Sequence, residues 1–256
     1  MGQFPELKGL EVNLSECDPD GWAAGTRHDN PNLNYRNTEY YASYVANSVC
    51  KLIDLGRDAS NQVDGLLTWA FQFENRALFE GLRTLSTNGV DKAVLNVFRL
   101  LARLGGNRLA LASNRWRDPL AREGGDGPGT APDLSGLAAG DQDGRVQVFL
   151  SSHHDDWDER TPTTVAVQIR GLIPGIRYSV VTTTIDRTRG NPYAAWVAMG
   201  EPKKAGVAQT QSLRQAALLR PGKRPALTAD ARGNGSMEIG MESHSATLIE
   251  LVPLRK

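Results

Sequence analysis

The chain has 256 residues, 40% hydrophobic and 23% charged, an ordinary globular composition at a length that buries a sizeable core. Lysine plus arginine equals aspartate plus glutamate at 29 each, which removes the electrostatic reason to expect a nucleic-acid or membrane-surface partner. No apolar run approaches the roughly 18 residues that span a bilayer, MGQFPELKGL holds no signal-peptide core, and two cysteines, Cys17 and Cys50, make no disulfide framework, so the expected location is cytoplasmic.

Leu10–Glu16 reads as the first strand: Leu10, Val12 and Leu14 alternate, Glu16 takes the next step of that rhythm, and Asp18, Pro19, Asp20 and Gly21 turn the chain. Asn37 or Thr38 caps a helix to about Leu55. Its stripe of Tyr41, Tyr44, Val45, Val49, Leu52 and Ile53 has helical spacing, and Gly56 supplies the stop. VDGLLTWAFQF is a near-continuous apolar run, the pattern of a strand buried on both faces of a parallel sheet. A second helix carries Val94, Val97, Phe98, Leu101 and Leu104 and ends at Gly105 and Gly106. This β-α-β-α order predicts parallel pairing with helices outside. Two such units cannot close a barrel.

From Asn107 the pattern changes. RLALAS, GRVQVFLSS, TTVAVQIRGL, RYSVVTTTI and SATLIELVP are short, β-branched and alternating, and predict an antiparallel sandwich. Gly124–Gly140, rich in Gly, Pro and Asp, reads as a surface loop. NPYAAWVAMG and LRQAALL, within Gly190–Gly235, read as short helices.

Glu16 is the first candidate for chemistry, because catalytic carboxylates gather at the carboxyl ends of parallel barrel strands. The plain alternative is a strand end whose glutamate is solvated or pairs with an arginine. Trp69, at the end of the second strand, is placed to stack on a sugar ring or else simply to fill the core. Glu74, just beyond, is placed to bond sugar hydroxyls or is an exposed charge. In SSHHDDWDER, His153, His154, Asp155, Asp156 and Asp158 raise the question of a metal. Adjacent strand residues point to opposite faces, so a hairpin-end loop is the better reading and no metal site is expected. Cys17 lacks a histidine base nearby and points away from Glu16, as a structural thiol would.

LSECDPDGWAAG, NLNYRNTEYYASYVA, LLTWAFQFE, TNGVDKAVLNVFRLLARLGG, SSHHDDWD and NPYAAW, in this order, resemble bacterial glycoside hydrolase family 39, the β-xylosidase family. The resemblance runs from about Pro5 to Leu254. It implies a (β/α)8 TIM barrel followed by an antiparallel β-sandwich, of which this chain would be the C-terminal fragment: residues 1–105 the last two β/α units, 106–256 the sandwich. It also implies retaining hydrolysis of non-reducing-end β-D-xylosyl residues from xylo-oligosaccharides, without a metal or organic cofactor. The implied nucleophile is Glu16, and Trp69 and Glu74 are the implied substrate-binding residues. Gln72 stands where relatives often carry glutamate, and Gly190 where they carry serine.

If Leu10–Glu16 resembles barrel strand seven and Val63–Phe71 strand eight, strands one to six are absent. With them goes the general acid/base, a glutamate that follows asparagine in relatives; the chain has no Asn-Glu dipeptide. The expectation is therefore a chain that is nearly inactive alone. It either lacks an N-terminal barrel portion or completes its site by association, as a homo-oligomer or with another chain. The rival expectation is a non-catalytic carbohydrate-binding module that uses Trp157 or Trp196.

Overall fold

The computed structural model describes residues 4, 9–22, 24–56, 63–68, 70–119 and 131–254. Trp69 lies outside the described residues. The protein is a mixed α/β structure in which one broad antiparallel sheet is covered on both faces.

Helix α1 (Glu39–Leu55) follows a 3-10 helix, Pro31–Asn37. The Thr38 hydroxyl caps α1 by accepting the Tyr40 N–H at 3.3 Å, and Gly56 closes it. Helix α2 (Ala93–Leu101) packs beside α1, and their apolar faces share one cluster with Leu137, Phe149, Ile185, Ala246 and Leu248. Residues from both sides of Gly105 thus build a single core.

Strands β1 (Asn13–Leu14) and β2 (Gly65–Leu66) pair in parallel, and β3 (Ser86–Thr87) and β4 (Val90–Asp91) form a small hairpin. The chain then runs through β5 (Asn107–Leu109), β6 (Asp133–Gly140), β7 (Val146–His153), β8 (Thr163–Ile169) and β9 (Arg177–Ile185). Helices α3 (Tyr193–Ala198) and α4 (Val207–Ala217) precede β10 (Gly222–Thr228), β11 (Gly235–Met241) and β12 (Ser245–Pro253). Six strands form one sheet in the order β10-β9-β12-β7-β6-β5, all antiparallel; β8 and β11 form a separate pair.

The period-two alternation of strands explains the two covers. Leu137, Phe149 and Leu248 face α1 and α2, while their chain neighbours Ala138, Val148 and Ile249 join the cluster formed with Ile239 and Met241 of β11 and Ile169 of β8. Strands sealed on both sides need apolar residues at successive positions, as in the Val-Phe-Leu of β7.

Several expectations change. Leu10–Glu16 and Val63–Phe71 pair with each other over two residues each, Asn13–Leu14 with Gly65–Leu66, and the end of the second run bonds instead to the segment around Arg83. Gly124–Gly140 is not a loop throughout: Asp133–Gly140 is the buried strand β6. Small side chains there admit close neighbours. A Cβ on Gly136 would come within 2.6 Å of the Phe149 carbonyl oxygen, and Asp133 is buried against Lys51 Nζ at 2.8 Å. Both expected helices of 190–235 are present, α4 longer than the apolar run suggested, but β10 in the same stretch is a strand. Among the described residues no helix is long and apolar enough to cross a membrane.

Candidate active site

The parallel pair brings Glu16 and the β2 end together. Asp64 holds the Val12 N–H at 2.8 Å, and the Leu67 N–H bonds to the Leu14 carbonyl at 2.9 Å. Gly65 suits this crossing, since a Cβ there would meet the Asn13 side-chain oxygen.

Glu16 leaves the end of β1 with its side chain half exposed, at 49%. Its Oε2 lies 3.1 Å from Nη2 of Arg83. The other guanidinium nitrogen, Nη1, donates to Asp18 Oδ2. One arginine therefore joins two carboxylates two residues apart, a use of the planar fork that lysine cannot match. Arg83 and Asp18 are almost wholly enclosed, at 5% and 3%. Burial alone would lower the Arg83 pKa, but the hydrogen bonds and charges of Asp18, then Glu16, hold it above its ordinary value.

Asp18 is fixed a second time. Tyr41, on α1, donates its hydroxyl to Asp18 Oδ1 at 2.7 Å. Burial first, and the Asp18 charge next, push the Tyr41 phenol well above its ordinary range, so it stays a donor. Both Asp18 oxygens are thus occupied. Beyond it Asp20 Oδ1 meets Arg36 at 3.3 Å, and Arg36 also donates to the Trp22 carbonyl and to the Tyr35 hydroxyl. The acidic turn after β1 is held by α1, the 3-10 helix and the segment around Arg83.

That segment is tied to β2. The Ala70 N–H bonds to the Arg83 carbonyl at 2.7 Å, and Leu85 N–H to the Ala70 carbonyl at 3.0 Å. Glu74 lies exposed in the following turn, and no contact joins it to Glu16 or Arg83 among those described. Gln72 braces the β3–β4 hairpin, its Oε1 accepting from Gly89 N–H at 2.7 Å and from the Ser86 hydroxyl at 2.9 Å. Cys17 turns to Tyr44, with sulfur and phenol oxygen 3.9 Å apart, and Tyr44 is tied to the helix core.

Arg83 is the site residue that sequence reading missed. It sits in an apolar context, LFEGLRTLS, that nothing local marks as catalytic. The plain reading of Glu16 did anticipate an arginine partner without identifying it.

The other candidates fall elsewhere. His153 ends β7 beneath α1, where it bonds the Ser43 hydroxyl at 2.9 Å and packs edge-on against Tyr44. His154 Nδ1 accepts the Asp156 N–H at 3.0 Å. No group of three His, Cys, Asp or Glu side chains is arranged for a metal among the described residues. Trp196 is 1% exposed, packed on Phe79 with its indole N–H on the Pro202 carbonyl, so it offers no face to a sugar. Asn191 bonds buried Glu39 at 3.2 Å, and Tyr193 takes a bond from Asn34 at 2.6 Å. NPYAAW is a packing motif that ties α3 to α1 and the 3-10 helix. Gly190 needs its left-handed φ of +61.

Three similar solved structures are a structure described as the bacterial orthologue of human α-L-iduronidase, a monomeric β-xylosidase from Caulobacter crescentus CB15 and a GH39 enzyme from Xanthomonas axonopodis pv. citri. The first has TM-score 0.73 at 22% identity and covers 99% of this chain and 43% of that one. The second has TM-score 0.67 at 20% identity over 96% and 46%, and the third 0.64 at 19% over 86% and 42%. The chain thus spans less than half the length of these proteins. A search of curated proteins finds no match. The family model for glycosyl hydrolases family 39 matches residues 2–234, nearly the whole chain, and by that match the protein belongs to this family of glycosyl hydrolases.

Proposed function

We propose that this chain carries the nucleophile half of a retaining glycosidase of the β-xylosidase type. Glu16 would attack the anomeric carbon of a non-reducing-end xylose in a xylo-oligosaccharide. Trp69 would wall the pocket and Glu74 would bind sugar hydroxyls. The observation that supports this most is the position of Glu16: it lies at the carboxyl end of a parallel strand, half open to solvent, and is held by a buried arginine. A carboxylate held and aimed by an arginine is what the glycosylation step needs.

A retaining mechanism needs two carboxylates about 5–5.5 Å apart, the second to protonate the leaving oxygen and then activate water. Asp18 does not fill that role, since Tyr41 and Arg83 occupy both its oxygens. In this reading the acid/base belongs to the remaining barrel portion. Its loss removes a factor of roughly 10²–10⁴, and turnover of an aryl β-xyloside by this chain alone is negligible.

The test uses a substrate whose leaving group needs no acid. With 2,4-dinitrophenyl 2-deoxy-2-fluoro-β-xyloside, the chain should gain one fluoroxylosyl adduct, mapped by peptide mass spectrometry to Glu16 and absent in Glu16→Gln. No adduct on the folded chain, or an adduct surviving in Glu16→Gln, overturns the assignment. Turnover of an aryl β-xyloside at an intact enzyme's rate, abolished by Glu16→Gln, would instead overturn the dependence on a missing acid/base.

A further inference from the structure

Lys92 immediately precedes α2 and is 2% exposed, one of the largest fully buried side chains. An ammonium in the interior is a costly group unless something requires it. Its Nζ donates to the Leu82 carbonyl at 3.0 Å and to the Thr84 hydroxyl at 3.4 Å. Its own N–H bonds to the Leu85 carbonyl at 2.9 Å. Among the described residues its ammonium meets no carboxylate within ion-pair distance.

Those three bonds share a target. Leu82 and Thr84 flank Arg83, and Leu85 follows. The Arg83 carbonyl is already committed to the Ala70 N–H. The short segment that presents the guanidinium is thus held by Ala70, which follows β2 in the chain, and by Lys92 at the head of α2.

We propose that Lys92 is a positioning residue, holding the Leu82 carbonyl on one side of Arg83 and the Thr84 hydroxyl on the other, and thereby the fork that holds Glu16 and Asp18. The charges that act on it are Arg36, which disfavours its proton, and Asp18, which favours it. Burial, the largest influence, brings the Lys92 pKa down to about 7. The structure keeps an amine where a methionine of similar length would fill the space without a polar cost. Packing alone therefore gives no account of a lysine here, whereas bonds to the Leu82 carbonyl and the Thr84 hydroxyl, on either side of Arg83, do.

The catalytic consequence rests on the reading of Glu16 as nucleophile, but the positioning is measured without it. In Lys92→Met the buried charge is replaced by an isosteric apolar chain, so the thermal midpoint should hold or rise. Arg83 should meanwhile react with phenylglyoxal about tenfold faster, the order expected for losing one charged hydrogen bond, while the other arginines keep their wild-type rates. Thr84→Val removes one of the two acceptors and should give a smaller increase. Fluoroxylosyl trapping at Glu16 should slow in Lys92→Met with little change in the ligand concentration at half-saturation. An Arg83 modification rate unchanged in both variants overturns the proposal, as does a uniform rise across all arginines. If the wild type takes no fluoroxylosyl adduct, the glycosidase reading fails while the phenylglyoxal rates still decide the role of Lys92.

Discussion

Arg83 and Asp18 form a pair in which both side chains are almost wholly buried, and the same guanidinium reaches the half-exposed Glu16 at 3.1 Å. The two contacts differ in kind. The Glu16 contact is screened by water, so its main effect is orientation, whereas the Asp18 contact is enclosed and holds the turn together.

Arg83→Met should therefore destabilise the protein by roughly 3–5 kcal/mol, because it strands the Asp18 charge. Adding Asp18→Asn should restore much of that loss. Urea midpoints of the two single variants and the double variant measure the coupling. Strictly additive losses would contradict the pairing.

Tyr41→Phe removes the 2.7 Å donor from Asp18 Oδ1 and leaves a buried acceptor unmet, a loss of about 1–3 kcal/mol. Cys17→Ala removes only the 3.9 Å sulfur contact with Tyr44 and should cost about 1 kcal/mol or less. It should leave Glu16 labelling intact. Equal losses from the two variants would show that Tyr41 is not acting through Asp18.

Acid should loosen the join between α1 and the broad sheet. Burial lowers the His153 pKa to about 3 and the His244 pKa to about 4, with neighbouring histidines adding to the shift for His153. The folded state therefore holds both rings neutral where the unfolded chain protonates them near 6.5. The unfolded state binds more protons below that value, so stability falls as pH drops from 6.5 towards 4. Each ring contributes roughly 3 kcal/mol of loss at about pH 4.5. Thermal midpoints across this range check the slope, and His153→Gln should flatten it.

Two glycines separate steric need from chance. Gly136→Ala places a Cβ within 2.6 Å of the Phe149 carbonyl, a backbone atom with little freedom to move, and should cost about 1–3 kcal/mol. In Gly222→Ala the nearest atom is 3.7 Å away and φ is not left-handed. That change should be neutral or stabilise by up to about 1 kcal/mol. Chemical denaturation of both variants gives the comparison.

The rival idea of a binding module narrows to one tryptophan. Trp196→Ala should lose about 3–5 kcal/mol of stability through its buried packing and cannot report on a sugar. Trp157, only partly buried beside the helix core, remains the aromatic to test. Isothermal titration with xylo-oligosaccharides should show no affinity that depends on Trp157→Ala while ignoring Glu16→Gln. The opposite result would favour the module.

What the sequence made legible follows from how local each signal was. The span of α1 could be read because a threonine cap, a helical stripe and a stop glycine all lie within it. β12 could be read from its alternation. β6 could not: DLSGLAAG carries small residues, and its reason for burial is the close approach of β7 and the Lys51–Asp133 pair, neither visible locally. Glu16 stood out through its motif. Arg83 and Lys92 did not, because their meaning depends on contacts across 65 and 8–10 residues of chain.

Helix α1 touches the broad sheet along one side, through Ser43 to His153, Asn47 to Asp133 and Lys51 to Asp133, and reaches the acidic turn on the other, through Tyr41 to Asp18. For anyone dissecting this protein into parts, that makes the helix a keystone. A cut at Gly105 would separate residues that share one core, and the half that keeps Glu16 would keep helix α1 but lose the sheet on which that helix rests.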